Sequence, residues 1–145
     1  MRTRHASTPV AESIARVATR SDDVEIRFGL PDDRKDWFVC SEMLDDPQLF
    51  NRWRKTLAAW LVDEHGESSD RATAGYVMGW YLGVAGGLAG LLFHSARRVP
   101  SLKPTDLAFR IADDDRPDVA GIALLSDDFI CLPDDPSGNH PAATV

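Results

Sequence analysis

Residues 74–93 read AGYVMGWYLGVAGGLAGLLF, twenty consecutive positions without a charge and with six glycines at 75, 79, 83, 86, 87 and 90. A helix of about twenty apolar residues is long enough to cross a bilayer. Gly75, Gly79, Gly83 and Gly87 recur at every fourth position, a spacing that lets two helices approach closely in a membrane or in a tightly packed protein core. Three features favour the core. Glycine in a helix interior costs about 1 kcal/mol relative to alanine, and the adjacent Gly86 and Gly87 predict a break that leaves two helices too short to span. Tyr76, Trp80 and Tyr81 all fall early in the stretch rather than at two interface belts. The flanking sequence reads as a half-buried α+β fold whose sheet needs a helix to cover it. Buried helices are therefore expected here, and membrane association is not.

Working outward, Thr8 followed by Pro9 opens a helix: the hydroxyl accepts an orphan amide, and proline at the first helical position sacrifices no hydrogen bond. Val10, Ile14 and Val17 share one face of it, to about Arg20. Val24, Ile26 and Phe28 alternate with Glu25 and Arg27, the period of a half-buried strand. Residues 32–40 are ambiguous. Asp46 and Pro47 repeat the capping signal, and Leu49, Phe50, Trp53, Leu57, Trp60 and Leu61 recur at helical spacing to about residue 63, with Trp53 and Trp60 as core anchors. After the apolar stretch, His94, Arg97 and Arg98 are expected on its last turns, with the helix stopping at Val99 and Pro100. Leu107, Phe109 and Ile111 alternate as a strand, and Val119–Leu125 and Phe129–Leu132 are two further apolar runs of strand length. The fold class expected is α+β, an antiparallel sheet covered on one face by helices. It forms a single domain or domain fragment, helical over about 8–63 and helix plus sheet over about 69–145. The ending HPAATV stops as though another element were about to begin, so the domain is expected to be incomplete.

The chain has 145 residues and a formal charge of -7. Its field repels phosphate backbones and anionic headgroups, so nucleic acid is not an expected partner. Cys40 and Cys131 lie far apart and outside any CxxC or Cys/His cluster, so no metal site is read from spacing. The start, MRTRHASTPVAES, has no apolar run of signal-peptide length, and a cytoplasmic location with two free thiols is expected. No GxSxG, P-loop, HExxH or GxGxxG motif is present, and no catalytic residue is assigned.

The segments GYVMGWYLGVAGGLAGLLFHSARRVP, DLAFRIA and IALLSDDFICLPDDPSGNHPAATV, in that order, resemble the actinobacterial branch of the FhuF-like ferric-siderophore reductases, the (2Fe-2S)-binding iron reductases. The resemblance covers about residues 75–145. It implies a cytoplasmic oxidoreductase that passes one electron from a [2Fe-2S] cluster to an imported ferric siderophore, loosening its hard-oxygen chelation. In that family the cluster is held by a carboxy-terminal adjacent cysteine pair followed by a CxxC, which this chain lacks. A [2Fe-2S] centre needs four ligands, so recognition or scaffolding is expected, rather than electron transfer by this chain itself. The alternatives are a small membrane-anchored protein with a glycine-rich transmembrane helix at 74–93, and an unrelated cytoplasmic interaction domain.

Four residues are candidates for contact with a ferric siderophore. His94, Arg97 and Arg98 form a cationic group at helical spacing, which would equally complement a helix C-terminus. Trp37, beside a charged loop, offers a face for a planar ligand such as a catecholate. The acidic turns around Asp113, Asp114, Asp115 and Asp118 and around Asp127, Asp128, Asp134 and Asp135 lack EF-hand order and read as turn chemistry. His5, His65 and His140 show no ligand spacing with Cys131. Reconstitution with iron and sulfide is expected to leave the purified chain without [2Fe-2S] visible absorption, and a stoichiometric EPR-active cluster would contradict this count of donors.

Overall fold

Three side chains placed just ahead of apolar runs start the long helices. In the computed structural model, which describes residues 7–112 and 116–145, Thr8 accepts the Ala11 amide at 3.3 Å and opens α1, Pro9–Val17. Asp46 accepts the Gln48 amide at 2.9 Å and opens α3, Pro47–His65. Ser69 accepts the Ala72 amide at 3.1 Å and opens α4, Asp70–Ala96. A short α2, Cys40–Asp45, precedes α3. Helix α3 ends where Gly66 takes a left-handed conformation, φ 79°, and returns its amide to Val62.

Helix α4 corrects the expectation of a break at Gly86 and Gly87: it is one continuous helix of 27 residues. Its intrahelical ladder survives the glycine pair because Ala85, Leu88 and Leu92 are locked into the core at 6%, 3% and 1% exposure, and packing of an apolar face outweighs propensity. The helix also ends earlier than expected. Arg97 adopts the left-handed region, φ 55°, and donates its amide to Phe93, so Arg98 leaves the helix and begins a strand.

Two sheets follow. The larger has the order β1-β5-β4-β2, with β1 Glu25–Phe28, β2 Trp37–Val39, β4 Leu107–Ile111 and β5 Val119–Leu124. The smaller has the order β3-β6-β7, with β3 Arg98–Pro100, β6 Phe129–Cys131 and β7 Ala143–Thr144. The fold is α+β, but its sheets are mixed rather than antiparallel. β1 runs parallel to β5, Ile26 opposite Ile122, and β6 runs parallel to β7. Parallel neighbours require a long crossover, and the excursion from β1 to β5 contains α2, α3 and α4.

The helices cover one face of the larger sheet. Val10, Ile14 and Val17 from α1, Trp53, Leu57 and Leu61 from α3, and Val77, Leu88 and Leu92 from α4 form one core with Ile26, Leu107, Phe109, Ile122 and Leu124. Trp53 stacks on Trp80, ring centres 6.2 Å apart, and its indole N–H donates to the Pro117 carbonyl at 2.7 Å. Trp60, expected as a core anchor, is only partly buried and meets His65 edge-on.

On the opposite face Trp37 lies with Ala108 and Ala123 in a second small cluster. Gly121 makes room for it: a Cβ at that position would sit 2.9 Å from Trp37 Cη2 and 3.2 Å from Arg110 Cβ. Gly121→Ala is therefore expected to cost about 1–3 kcal/mol by overpacking, read as a lower denaturation midpoint with an unchanged slope. A neutral or stabilising result would contradict the close approach.

Candidate functional site

The four candidate contacts separate in the structure. Trp37 is 6% exposed, seated on Gly121 with the Arg27 guanidinium 6.0 Å from its ring. Its face is covered by protein, which removes it as a ligand platform. The period of two along β2 explains this: Trp37 points away from the helices, where a small-residue hollow of Ala108, Gly121 and Ala123 receives it.

Arg98 is also a correction. It does not share a helix face with His94, because the left-handed Arg97 turns the chain and starts β3 with Arg98 pointing inward. All five of its N–H donors have acceptors. Nε and Nη2 donate to the two oxygens of Asp135 at 2.8 Å each. Nη1 donates to the Pro9 carbonyl at 3.1 Å and to Ser13 Oγ at 3.0 Å, and Nη2 also reaches Ser137 Oγ at 3.2 Å. The guanidinium lies 5.3 Å from the Phe129 ring centre. With no donor left and only 8% exposure, Arg98 ties the start of α1 to the loop after β6. One of the acidic residues is thereby accounted for as well: the hydrogen bonds from Arg98, assisted by the Ser137 amide, hold the Asp135 carboxyl below its ordinary value.

His94 and Arg97 are exposed at the C-terminal end of α4. The Arg97 guanidinium stands 5.2 Å from the centre of the Phe93 ring, and His94 meets the same ring at 6.0 Å. Phe93 is 39% exposed. On the other side of the helix end Arg20, from the 3-10 turn Ala18–Arg20 after α1, donates to Ser95 Oγ at 3.0 Å. The result is an exposed guanidinium and an imidazole set against a partly bare aromatic ring, Arg97 and His94 on Phe93, on a chain of net charge -7. It suits an anion with a flat or apolar part, through charge, guanidinium hydrogen bonds and stacking. Phe93 was not among the sequence candidates. Arg20 reaches the end of α4 through the packing of α1, a contact between residues 75 positions apart, but on the Ser95 side and not at Phe93.

A [2Fe-2S] cluster does not fit the thiols present. Cys40 and Cys131 are 1% and 6% exposed and stand on α2 and β6. Burial pushes the Cys40 thiol up to about 12, against an opposing hydrogen bond with Tyr81, so at neutral pH it is not a thiolate. Among the described residues no group of three His, Cys, Asp or Glu side chains converges to hold a metal. His65 packs on Trp60, and His140 Nδ1 accepts the Ala142 amide at 3.1 Å. His5 and Asp113, Asp114 and Asp115 lie outside the described residues. Two cavities flank Met43 and Trp53: one of about 210 Å³ bordered by Asp36, Arg52 and Thr56, and an apolar one of about 270 Å³ between α2, α3 and α4.

Comparison of the chain with family models, with curated proteins and with solved structures gives no match in any of the three.

The Arg98–Asp135 pair sets an acid limit on stability. Because the folded-state pKa of Asp135 is depressed, its contribution is fully present above the unfolded value of about 3.9. It is lost as pH falls through the lower folded value. Asp135→Asn is expected to flatten the acid side of the stability profile below about pH 4. Arg98→Met, which strands the buried carboxylate, is expected to cost on the order of 3 kcal/mol at neutral pH by chemical denaturation. A variant of wild-type stability at pH 7 would show the pair to be idle.

Proposed function

We propose that this domain is the recognition part of a FhuF-like ferric-siderophore reductase, acting in the cytoplasm, and that it meets its substrate where His94 and Arg97 flank Phe93. The observation that carries the reading is this local reversal of charge beside an exposed aromatic ring on an acidic chain. A ferric chelate with carboxylate or catecholate groups offers the complementary anion and flat surface. The chain's long-range field opposes such a ligand, so contact must be short-range, through paired charges and stacking.

Reduction lies outside what these residues do. Conversion of Fe(III) to Fe(II) needs one electron, and neither the protonated, buried Cys40 nor the isolated Cys131 supplies a centre to hold it. The domain binds and orients the chelate, and the electron comes from a centre that this chain does not ligate.

A bilayer-spanning α4 competes with this reading, because the helix is 27 residues long with a mean hydropathy of 1.5 in its most apolar window. It would require withdrawing Val77, Leu88 and Leu92 from contact with the sheet, leaving Phe109 and Ile122 uncovered. Losing each such side chain from a core costs about 2–5 kcal/mol, and the packed arrangement is favoured.

Titration with a ferric tris-catecholate chelate, which carries a net charge of about -3, followed by tryptophan quenching, tests the proposal, with the neutral ferric tris-hydroxamate as a weaker-binding control. Saturable binding is expected that weakens with salt. Arg97→Glu should weaken it on the order of tenfold or more while leaving the thermal midpoint within a few degrees. Affinity unchanged by Arg97→Glu, or no binding of the catecholate chelate, would contradict it.

A further inference from the structure

The face of α4 that points away from the core has no partner within the described chain. From residue 72 to residue 93 it carries no charge, and Tyr76, Met78 and Leu82 stand 45%, 56% and 61% exposed along it. Beside Met78 and Leu82, Leu44 is 58% exposed and lines the same apolar hollow. A Cβ added at any of the six glycines of α4 would meet nothing within 4 Å. No contact among the described residues requires a glycine at these positions, although each weakens the helix. A patch of bare large apolar side chains interleaved with unneeded glycines is an interface without its other half.

We propose that this face docks a second copy of the chain, with the two α4 helices antiparallel and crossing between Leu82 and Gly83. The choice of occupant rests on self-complementarity, the requirement of a two-fold interface. Four of the six glycines are arranged symmetrically about that point, 75 with 90 and 79 with 86, while Gly83 and Gly87 fall level with Leu82 and Met78. In the antiparallel pair each protruding side chain stands level with small residues of the other copy. Tyr76 meets Gly87 and Gly90, Met78 meets Gly86 and Ala89, and Gly79 faces Gly86 so that the backbones can approach. Leu82 meets its own twin at the axis. A parallel pair would instead set Tyr76 on Tyr76 and Met78 on Met78. The face is uncharged, so the net charge of -7 on each copy is kept away from the contact. About 25 Å of helix with its flanking side chains buries on the order of 1,000 Å² in all, the lower limit of a specific interface.

The experiment uses the full chain in detergent-free buffer. Sedimentation is expected to show a dimer at ~100 µM that dissociates on dilution. Gly79→Leu/Gly86→Leu should be monomeric at the same concentration with an equal or higher melting temperature, because leucine improves the helix and its Cβ enters open space at both positions. Under mild oxidation Leu82→Cys should form a disulfide-linked dimer. Gly75→Cys should not, since antiparallel pairing holds its twin about 22 Å away; Cys40 and Cys131 are buried and do not compete. A wild-type monomer at ~100 µM, a dimer that survives Gly79→Leu/Gly86→Leu, disulfide linkage of the Gly75→Cys variant, or flotation of the wild-type chain with phosphatidylcholine–phosphatidylglycerol vesicles would each overturn the proposal. Siderophore binding is a separate readout: its failure leaves this inference standing, and the reverse holds.

Discussion

The fold rests on one stripe of α4. Val77, Ala85, Leu88 and Leu92 are the surface against which α1, α3, the larger sheet and the first strand of the smaller one come together. A single helix serving this many neighbours must be long, straight and narrow at the contact. Its hydrophobicity is a consequence of that burden on one side, whereas the bare apolar residues and glycines on the other side pack against nothing among the described residues. The same stretch therefore passes for a membrane span by composition and behaves as a spine in the structure.

Much of what local chemistry signals could be read from the sequence, although the Ser69 cap of α4 and the Gly66 end of α3 were passed over as a linker. Thr8-Pro9 and Asp46-Pro47 mark helix starts because capping involves residues two or three apart, and the alternation in Glu25–Phe28 and Leu107–Ile111 marks strands. What depended on distant partners could not be read. The parallel pairing of β1 with β5 is a property of two segments nearly a hundred residues apart. The glycine pair reads as a break on propensity, but the helix is held by packing that no local rule contains. Arg97 takes a left-handed conformation without being glycine or asparagine, so nothing in RRVP separates Arg97, facing solvent, from Arg98, buried.

The candidate site was half legible for the same reason. His94 and Arg97 were visible as a cationic group, and both remain available. Arg98 and Trp37 were removed from it by partners that lie elsewhere in the chain, Asp135 and Gly121. The redistribution has a physical sense: the guanidinium with a buried carboxylate opposite it becomes a structural tie, and the one over an exposed phenyl ring stays free to bind. Charge at the surface and charge in the core thus play opposite parts within two consecutive residues.

Native-state hydrogen exchange of α4 tests the account most directly. In detergent-free buffer the amides from Val77 to Leu92 are predicted to exchange only through global unfolding, with the same opening free energy as the central strands β4 and β5. Exchange of α4 as a separate, weakly protected unit, or protection that appears only when lipid is added, would contradict a fold built on this helix.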